Sequence, residues 1–352
     1  MKAAARVAAA LGASAGVVAL MVAEPAVASA APGSTNVPCT GQSALVAAIN
    51  AANSAGGGTI VLARGCDYAL TSASSGEDGL PAIVTPVAVK GNGATIDGTD
   101  TFRVFEVHGA GGSLSLDHVT VTGGAADLMV LISDPFGGGI LNVGGTVTLN
   151  DSQVTGNTAL DGGGGIATLT VDPTSVARLR LNGSEVNDNS QTSPGAPGGG
   201  GILNVLGSVS VNTSQVSDNT AQGFSGGAIA SGDYFGFSGT SSLLDVNNSQ
   251  IDGNVAPNAG GGGIQNLLGS VSINNAEVDG NSALNGGGIA SGNGNGGAPP
   301  GTSHLSSTTP KWMATPPPLR HSKAACPPPQ AASPMAARRS STTPPSTATR
   351  PA

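Results

Sequence analysis

The chain is poor in aromatic residues, in charge and above all in cations. Nine of its 352 residues are aromatic, and charged residues make up 10%. Between Ala31 and Leu305 stand five basic residues, Arg64, Lys90, Arg103, Arg178 and Arg180, against 20 acidic ones. That balance argues against nucleic acid as a partner, because phosphate binding needs a basic footprint. No apolar run of spanning length follows residue 22, so no transmembrane segment is expected in the mature chain. The sequence also lacks a Ser/His/Asp or Cys/His arrangement with recognisable local context and the G-G-x-G-x-D nonapeptide that binds calcium. Gly292-Asn-Gly294-Asn-Gly-Gly297 matches the dinucleotide pattern G-x-G-x-x-G, but no βαβ pattern surrounds it and it reads as a loop.

What is present begins with an export signal. Lys2 and Arg6 precede an apolar stretch from Val7 to Val22, and Ala28-Ser29-Ala30 stands before Ala31-Pro32. Residues 1–30 are read as a secretory signal peptide cleaved after Ala30. The mature chain is therefore expected outside the cell, secreted or wall-associated, as a monomer. In that oxidising setting Cys39 and Cys66 are expected to pair, closing a loop of about 28 residues worth roughly 3 to 4 kcal/mol and pinning the N-terminal end.

Two blocks then alternate along the chain, Gly-Gly-(Gly/Ala)-Ile and Val/Ile-x-x-Asn. Ile140, Ile202 and Ile264 open copies 62 residues apart, and Ile166, Ile229 and Ile289 open an interleaved set. Self-similarity at this period predicts a solenoid. Short stretches of period-two alternation, Thr59–Leu62, Ala82–Val84, Val87–Val89, Phe102–Val107 and Ser113–Leu116, predict strands. The regular repeats run over 137–290, each copy long enough for one turn of three short strands. Ile140, Val147, Leu149 and Val154 are predicted to face inward, with Ile202, Val209, Val211, Val216 and Ile264, Val271, Ile273, Val278 stacked on them. Ser43 to Ala55 reads as the one helix, with Ser43 as N-cap, Leu45, Val46 and Ile49 on one face and Gly56 as the stop. Within a cap over 39–66, it would close the N-terminal end of the solenoid. Asn157, Asn189, Asn219, Asn254 and Asn281 close successive copies and predict an internal ladder bonding side chain to the next rung's backbone.

Alternate copies are longer because they carry inserts, Thr168 to Ala177 and Ser231 to Ser241. The second holds Tyr234, Phe235 and Phe237, three of the nine aromatics in one loop. Two readings stand: a ligand-binding surface, or a loop folded back over an apolar strip.

Chemistry-bearing residues are few. Asp252 and Asp279 share one column of the repeat, and Asp188 and Asp218 the next. Stacked carboxylates suit Ca²⁺ or the paired acids of a glycosidase, yet Thr155, Asn187, Ser217 and Gly253 occupy other rungs of these columns, which fits solvated turns better. No cofactor is therefore expected. His108 and His118 lie near Glu106, Asp117 and Arg103; Arg103 with His118 would supply the charge neutraliser and base of a polysaccharide lyase, although no spacing signature supports the pair.

The last 47 residues do not belong to the repeat. From Ser306 to Ala352 there is no Gly, Asn, Asp, Glu, Val or Ile, while 11 of the 23 prolines fall there. Either the tail is a disordered Pro-rich segment or the reading frame has shifted. Codon arithmetic favours a shift near Ser306. Trp312 and Met313 have unique codons and Ala314 begins GC, so reading one base earlier forces Asp then Gly. With third bases free, Ser307-Thr-Thr-Pro-Lys-Trp-Met-Ala-Thr-Pro-Pro317 decodes as x-Asn-Asn-Thr-Glu-Val-Asp-Gly-Asn-Thr-Ala, nearly the segment Asn274 to Ala283. Gln330 to Arg338 decodes as x-Gly-Gly-Ile-Ala-Asn-Gly-Gly-Lys, and Ser341 to Pro351 as x-Asn-Asn-Thr-Ala-Val-Asp-Gly-Asn-Thr-Ala.

From Cys39 to Leu305 the chain resembles the secreted right-handed parallel β-helix proteins of actinobacteria. The likeness rests on Leu45-Val-Ala-Ala-Ile-Asn-Ala-Ala-Asn53, Gly56-Gly-Gly-Thr-Ile-Val-Leu62, Lys90-Gly-Asn-Gly-Ala-Thr-Ile-Asp97 and the Gly-Gly-Gly-Ile and Asn-x-Ser-x-Val-x-x-Asn repeats. Gly226-Gly-Ala-Ile229 is also similar to the GGA-I motif of chlamydial polymorphic outer-membrane proteins, with Val or Ile here in place of the Phe of their F-x-x-N partner. The first resemblance implies an all-β right-handed parallel β-helix over 31–305 and export; the second implies adhesion. The function expected is a non-catalytic secreted or cell-surface scaffold binding glycan or another surface, and the alternative is a polysaccharide lyase or glycoside hydrolase of the pectate-lyase-like kind.

Overall fold

The computed structural model describes residues 33–127, 135–236 and 241–292, with the strand His304–Ser307. The expected signal peptide and the tail from residue 308 lie outside the described residues. Within them the chain is a right-handed parallel β-helix, and every pairing between its strands is parallel. One turn comprises Ile140–Val143, Thr146–Asn150, Gln153–Thr155 and Thr158–Ala159 before the next begins at Ile166. A turn thus holds four strands rather than three.

Register explains the two interleaved sets of repeats. Ile140 pairs with Ile166, Ile166 with Ile202, Ile202 with Ile229, Ile229 with Ile264 and Ile264 with Ile289. The longer period is therefore two rungs, one of which carries an insert. The inserts begin later than the sequence suggests: Thr168 and Leu169 close one strand and Ser231 and Gly232 another, so both excursions leave from the same corner.

The interior is built from aliphatic columns. Ile60, Val89, Leu116, Leu149, Leu181, Val211, Val246 and Ile273 pair from rung to rung and are buried. Each such side chain stabilises by roughly 1.5 to 3 kcal/mol when fully buried. Near the N-terminal end two strands are longer than predicted, Pro86–Asp97 and Ser113–Thr122, and run through the corner that interrupts later rungs. The stretch Ala82–Val84 is not a strand; Ile83 makes one bridge to Val107. The stretch at Phe102 becomes a strand only from Phe105, after Arg103 has bridged to Asp78.

A helix, Gln42–Ser54, covers the N-terminal end and buries Leu45, Ala48, Ile49 and Ala52. Ser43 is not its N-cap. Gly41 holds that position at φ 98°, ψ −171°, with no side-chain cap bond, a conformation that favours glycine. The Gln42 amide instead fastens the helix start to the wall: its Nε2 donates to the carbonyls of Ser72 and Gly79, and its Oε1 accepts from the N–H groups of Thr71 and Ser72. Cys39 and Cys66 are disulfide-bonded, with Cα atoms 5.7 Å apart.

The asparagine ladder is present and runs through Asn157, Asn189, Asn219, Asn254 and Asn281, the first four buried. Each reaches back to the preceding rung: Asn157 N–H donates to Asn189 Oδ1, and Asn189 Nδ2 donates to the Val154 carbonyl. Two further ladders went unread in the sequence. Asn150, Asn182, Asn212, Asn247 and Asn274 bond amide to amide along one edge, and the hydroxyl oxygens of Ser152, Ser184, Ser214 and Ser249 accept from the N–H groups of Val119, Ser152, Ser184 and Ser214, each one rung before. Both lie in the Asn-x-Ser part of the repeat.

Candidate functional site

The third sheet, through Ile140, Ile166, Ile202 and Ile229, departs from in-out alternation. Its central strands are buried on both faces, the pattern of a sheet covered on either side. Outside it lies a second apolar cluster of Leu141, Val143, Ala167, Leu169, Leu203, Val205, Leu206 and Ala230, against which Phe136 and Tyr234 pack. The aromatic loop therefore folds back over an apolar strip. Phe235 stands at the outer edge, 47% exposed, with its ring edge-on to Phe136 at a centroid distance of 6.2 Å. Phe224, on a neighbouring loop, is also 47% exposed. The Tyr234 hydroxyl is buried next to Ser225 without a well-formed hydrogen bond, and burial pushes the phenol up. Phe237 lies outside the described residues.

Small residues make room for this arrangement. Phe136, Gly162 and Gly198 bridge in succession, and a Cβ on Gly162 would meet Leu203 Cδ2 at 2.7 Å. The outer aliphatic row was legible in Leu141, Leu203, Val143 and Val205, which alternate with the inward residues. Period-two reasoning sets them on the solvent face, and only the inserts overlying them change their environment.

Arg103 and His118 are not presented as a pair. Arg103 is buried and donates from Nη1 to Asp78 Oδ1 at 2.7 Å and from Nη2 to Glu77 Oε1 at 2.6 Å, with Nε on the Phe136 carbonyl. Desolvation raises the Asp78 carboxyl to about 7, opposed by the Arg103 charge and assisted by nearby Glu106. Glu106 in turn lies 3.4 Å from His108 Nδ1. Arg103, a candidate catalyst by residue type, is instead the cation of a buried carboxylate cluster. His118 sits at an exposed corner, φ 54°, against Asp117, which also binds Lys90. Hydrogen bonds from Lys90 and then His118 hold the Asp117 carboxyl below its usual range.

Asp252 and Asp279 are direct register partners on adjacent rungs. Asp252 accepts from Gln215 Nε2 at 3.2 Å and Asp279 from the Gly280 N–H at 2.8 Å. Asp188 and Asp218 occupy left-handed turn positions, φ 55° each. Among the described residues no group of three or more His, Cys, Asp or Glu is gathered to hold a metal, and no helix is long and apolar enough to cross a membrane. No protein-family model, curated protein or solved structure matches the chain.

Proposed function

We propose that this is a secreted or cell-surface scaffold that binds glycan or another surface without catalysis. The observation that carries the reading is the aromatic edge over the third sheet. In a chain with nine aromatics, Phe235 and Phe224 remain half exposed while Tyr234 and Phe136 seat the loops beneath. Flat apolar rings left half exposed at the surface suit the faces of sugar rings. The engagement of Arg103 by Glu77 and Asp78 further supports a non-catalytic role, since it occupies the group the lyase alternative needs. Binding to a glycan array and to isolated wall material tests the proposal, with Phe235→Ala expected to weaken retention at least fivefold while leaving the melting temperature within a few degrees. Silence on both surfaces would sink it, and release of unsaturated or reducing ends from uronate polymers would favour the enzymatic alternative.

A further inference from the structure

The C-terminal face of the solenoid is unlike every other rung. Val278 continues a column whose earlier members, Val154, Val186, Val216 and Ile251, have no exposed surface, yet Val278 is half-buried. Ile289 repeats the contrast in the column from Ile140 to Ile264, and Leu284 beside them is 67% exposed. The ladder also stops here. Asn281 Oδ1 accepts the Asn254 N–H, and among the described residues no further asparagine does the same for Asn281.

One strand begins the next rung. His304–Ser307 pairs with Ser270–Ile273, setting Leu305 opposite Val271 and Ser307 opposite Ile273. Leu305 continues its aliphatic column. Ser307 falls in the column held from Ile60 through Val89, Leu116, Leu149, Leu181, Val211 and Val246 to Ile273, and it is the first polar residue there after Thr35, which pairs with Ile60 at the opposite end. Codon arithmetic aligned the same two positions by an independent route: the decoded segment that matches Asn274 to Ala283 begins one residue after Ser307.

The neighbouring frame repairs each defect. A serine codon of the TCN kind, read one base earlier, becomes NTC, which encodes only Ile, Val, Leu or Phe. That restores an apolar residue at Ser307 and at Ser341, which opens the corresponding block one rung later. In the same frame Trp312 decodes as Val or Met at the position of Val278, and Thr315 as Asn, Asp, His or Tyr at the position of Asn281, the third bases of Lys311 and Ala314 selecting the Val and Asn that continue the columns.

We infer that the C-terminal face, Val278, Asn281, Leu284 and Ile289, is the docking surface for further β-helix rungs encoded one base out of the frame that yields this chain, and that the frame changes between codons 305 and 307. The partner is thus the protein's own continuation, recognised by aliphatic columns, an asparagine ladder and open strand edges.

Two measurements on the full gene and full chain test this. Sequencing the gene from codon 290 is expected to show TCN codons at Ser307 and Ser341 and an open neighbouring frame across codons 307–351. AGY serine codons there, or a stop in that frame, would overturn the inference. The protein expressed from the frame-restored gene is expected to slow amide hydrogen exchange at Val278 and Ile289 at least tenfold relative to this chain, with Val186 unchanged. Equal exchange in the two proteins would show that the decoded rungs do not dock on this face.

Discussion

At the scale of single residues, the interior is held by amides as well as by methyl groups. Asn189 accepts from the N–H and the Nδ2 of Asn157 and donates to the carbonyls of Val154 and Asn187. Removing it leaves buried donors and acceptors without partners, which costs more than the bonds themselves contribute. Asn189→Ala is expected to lose about 2 to 4 kcal/mol in urea unfolding; a loss under about 1 kcal/mol would mean that water replaces the amide. Arg103 is legible in the sequence as a rare cation but not as a buried one, because its carboxylate partners come from a loop 25 residues earlier. Removing it would strand Glu77 and Asp78, so lost binding in Arg103→Ala would report unfolding as well as chemistry. Asp78 carries a pH signature. Its folded pKa, about 7, lies above the ordinary carboxyl value of 3.8 because burial disfavours the charge. The folded state therefore holds the proton more tightly, and the stability due to Asp78 is full below its unfolded pKa and lost as pH rises toward 7. The melting temperature is expected to fall between about pH 4 and pH 7 and to level off above, and Asp78→Asn, which mimics the protonated form, should flatten that fall. An unaltered slope in the variant would assign it to other groups.

At the scale of the element, the glycine block is a close-packing device. A Cβ on Gly164 would stand 2.4 Å from the Ser190 carbonyl oxygen and 2.5 Å from that of Gly200, both backbone atoms with little room to yield. Gly163 before it has φ 61°, where side chains are disfavoured. Gly164→Ala is expected to cost on the order of 3 kcal/mol or more, read as a lower urea midpoint; a change below about 1 kcal/mol would show that adjacent rungs can separate there. The aliphatic and asparagine columns were legible because each recurs in every rung and needs no knowledge of its neighbours. The serine and outer asparagine ladders were equally periodic, but a Ser or Asn next to a corner also reads as ordinary turn chemistry, and the burial of Ser152, Ser184, Ser214 and Ser249 is not visible in the spacing. The N-cap failed for a related reason. Ser43 has the right side chain, whereas the choice of Gly41 rests on where Gln42 must reach across the wall to Ser72 and Gly79.

At the scale of the molecule, stability is a sum over rungs and the contacts between neighbours, so the two ends fail separately. The N-terminal end has the helix, the disulfide and the buried Tyr68, whose hydroxyl donates to the Val37 carbonyl. Replacing both cysteines, Cys39→Ser with Cys66→Ser, is expected to speed amide exchange in strands Gly58–Leu62 and Pro86–Asp97 while leaving Ile202–Val205 unaltered. Uniform acceleration over all rungs would instead indicate one cooperative unit. The sequence by itself determined the solenoid, its inward columns, the amide ladder and the disulfide, because those properties depend on spacing along the chain and on rung-to-rung identity. Tertiary structure alone decided the burial of Arg103, the second apolar layer under Phe136 and Tyr234, and the incomplete C-terminal face. Each of these arises where segments from different rungs meet, and burial there depends on what the winding of the chain lays over a residue, which local periodicity does not encode.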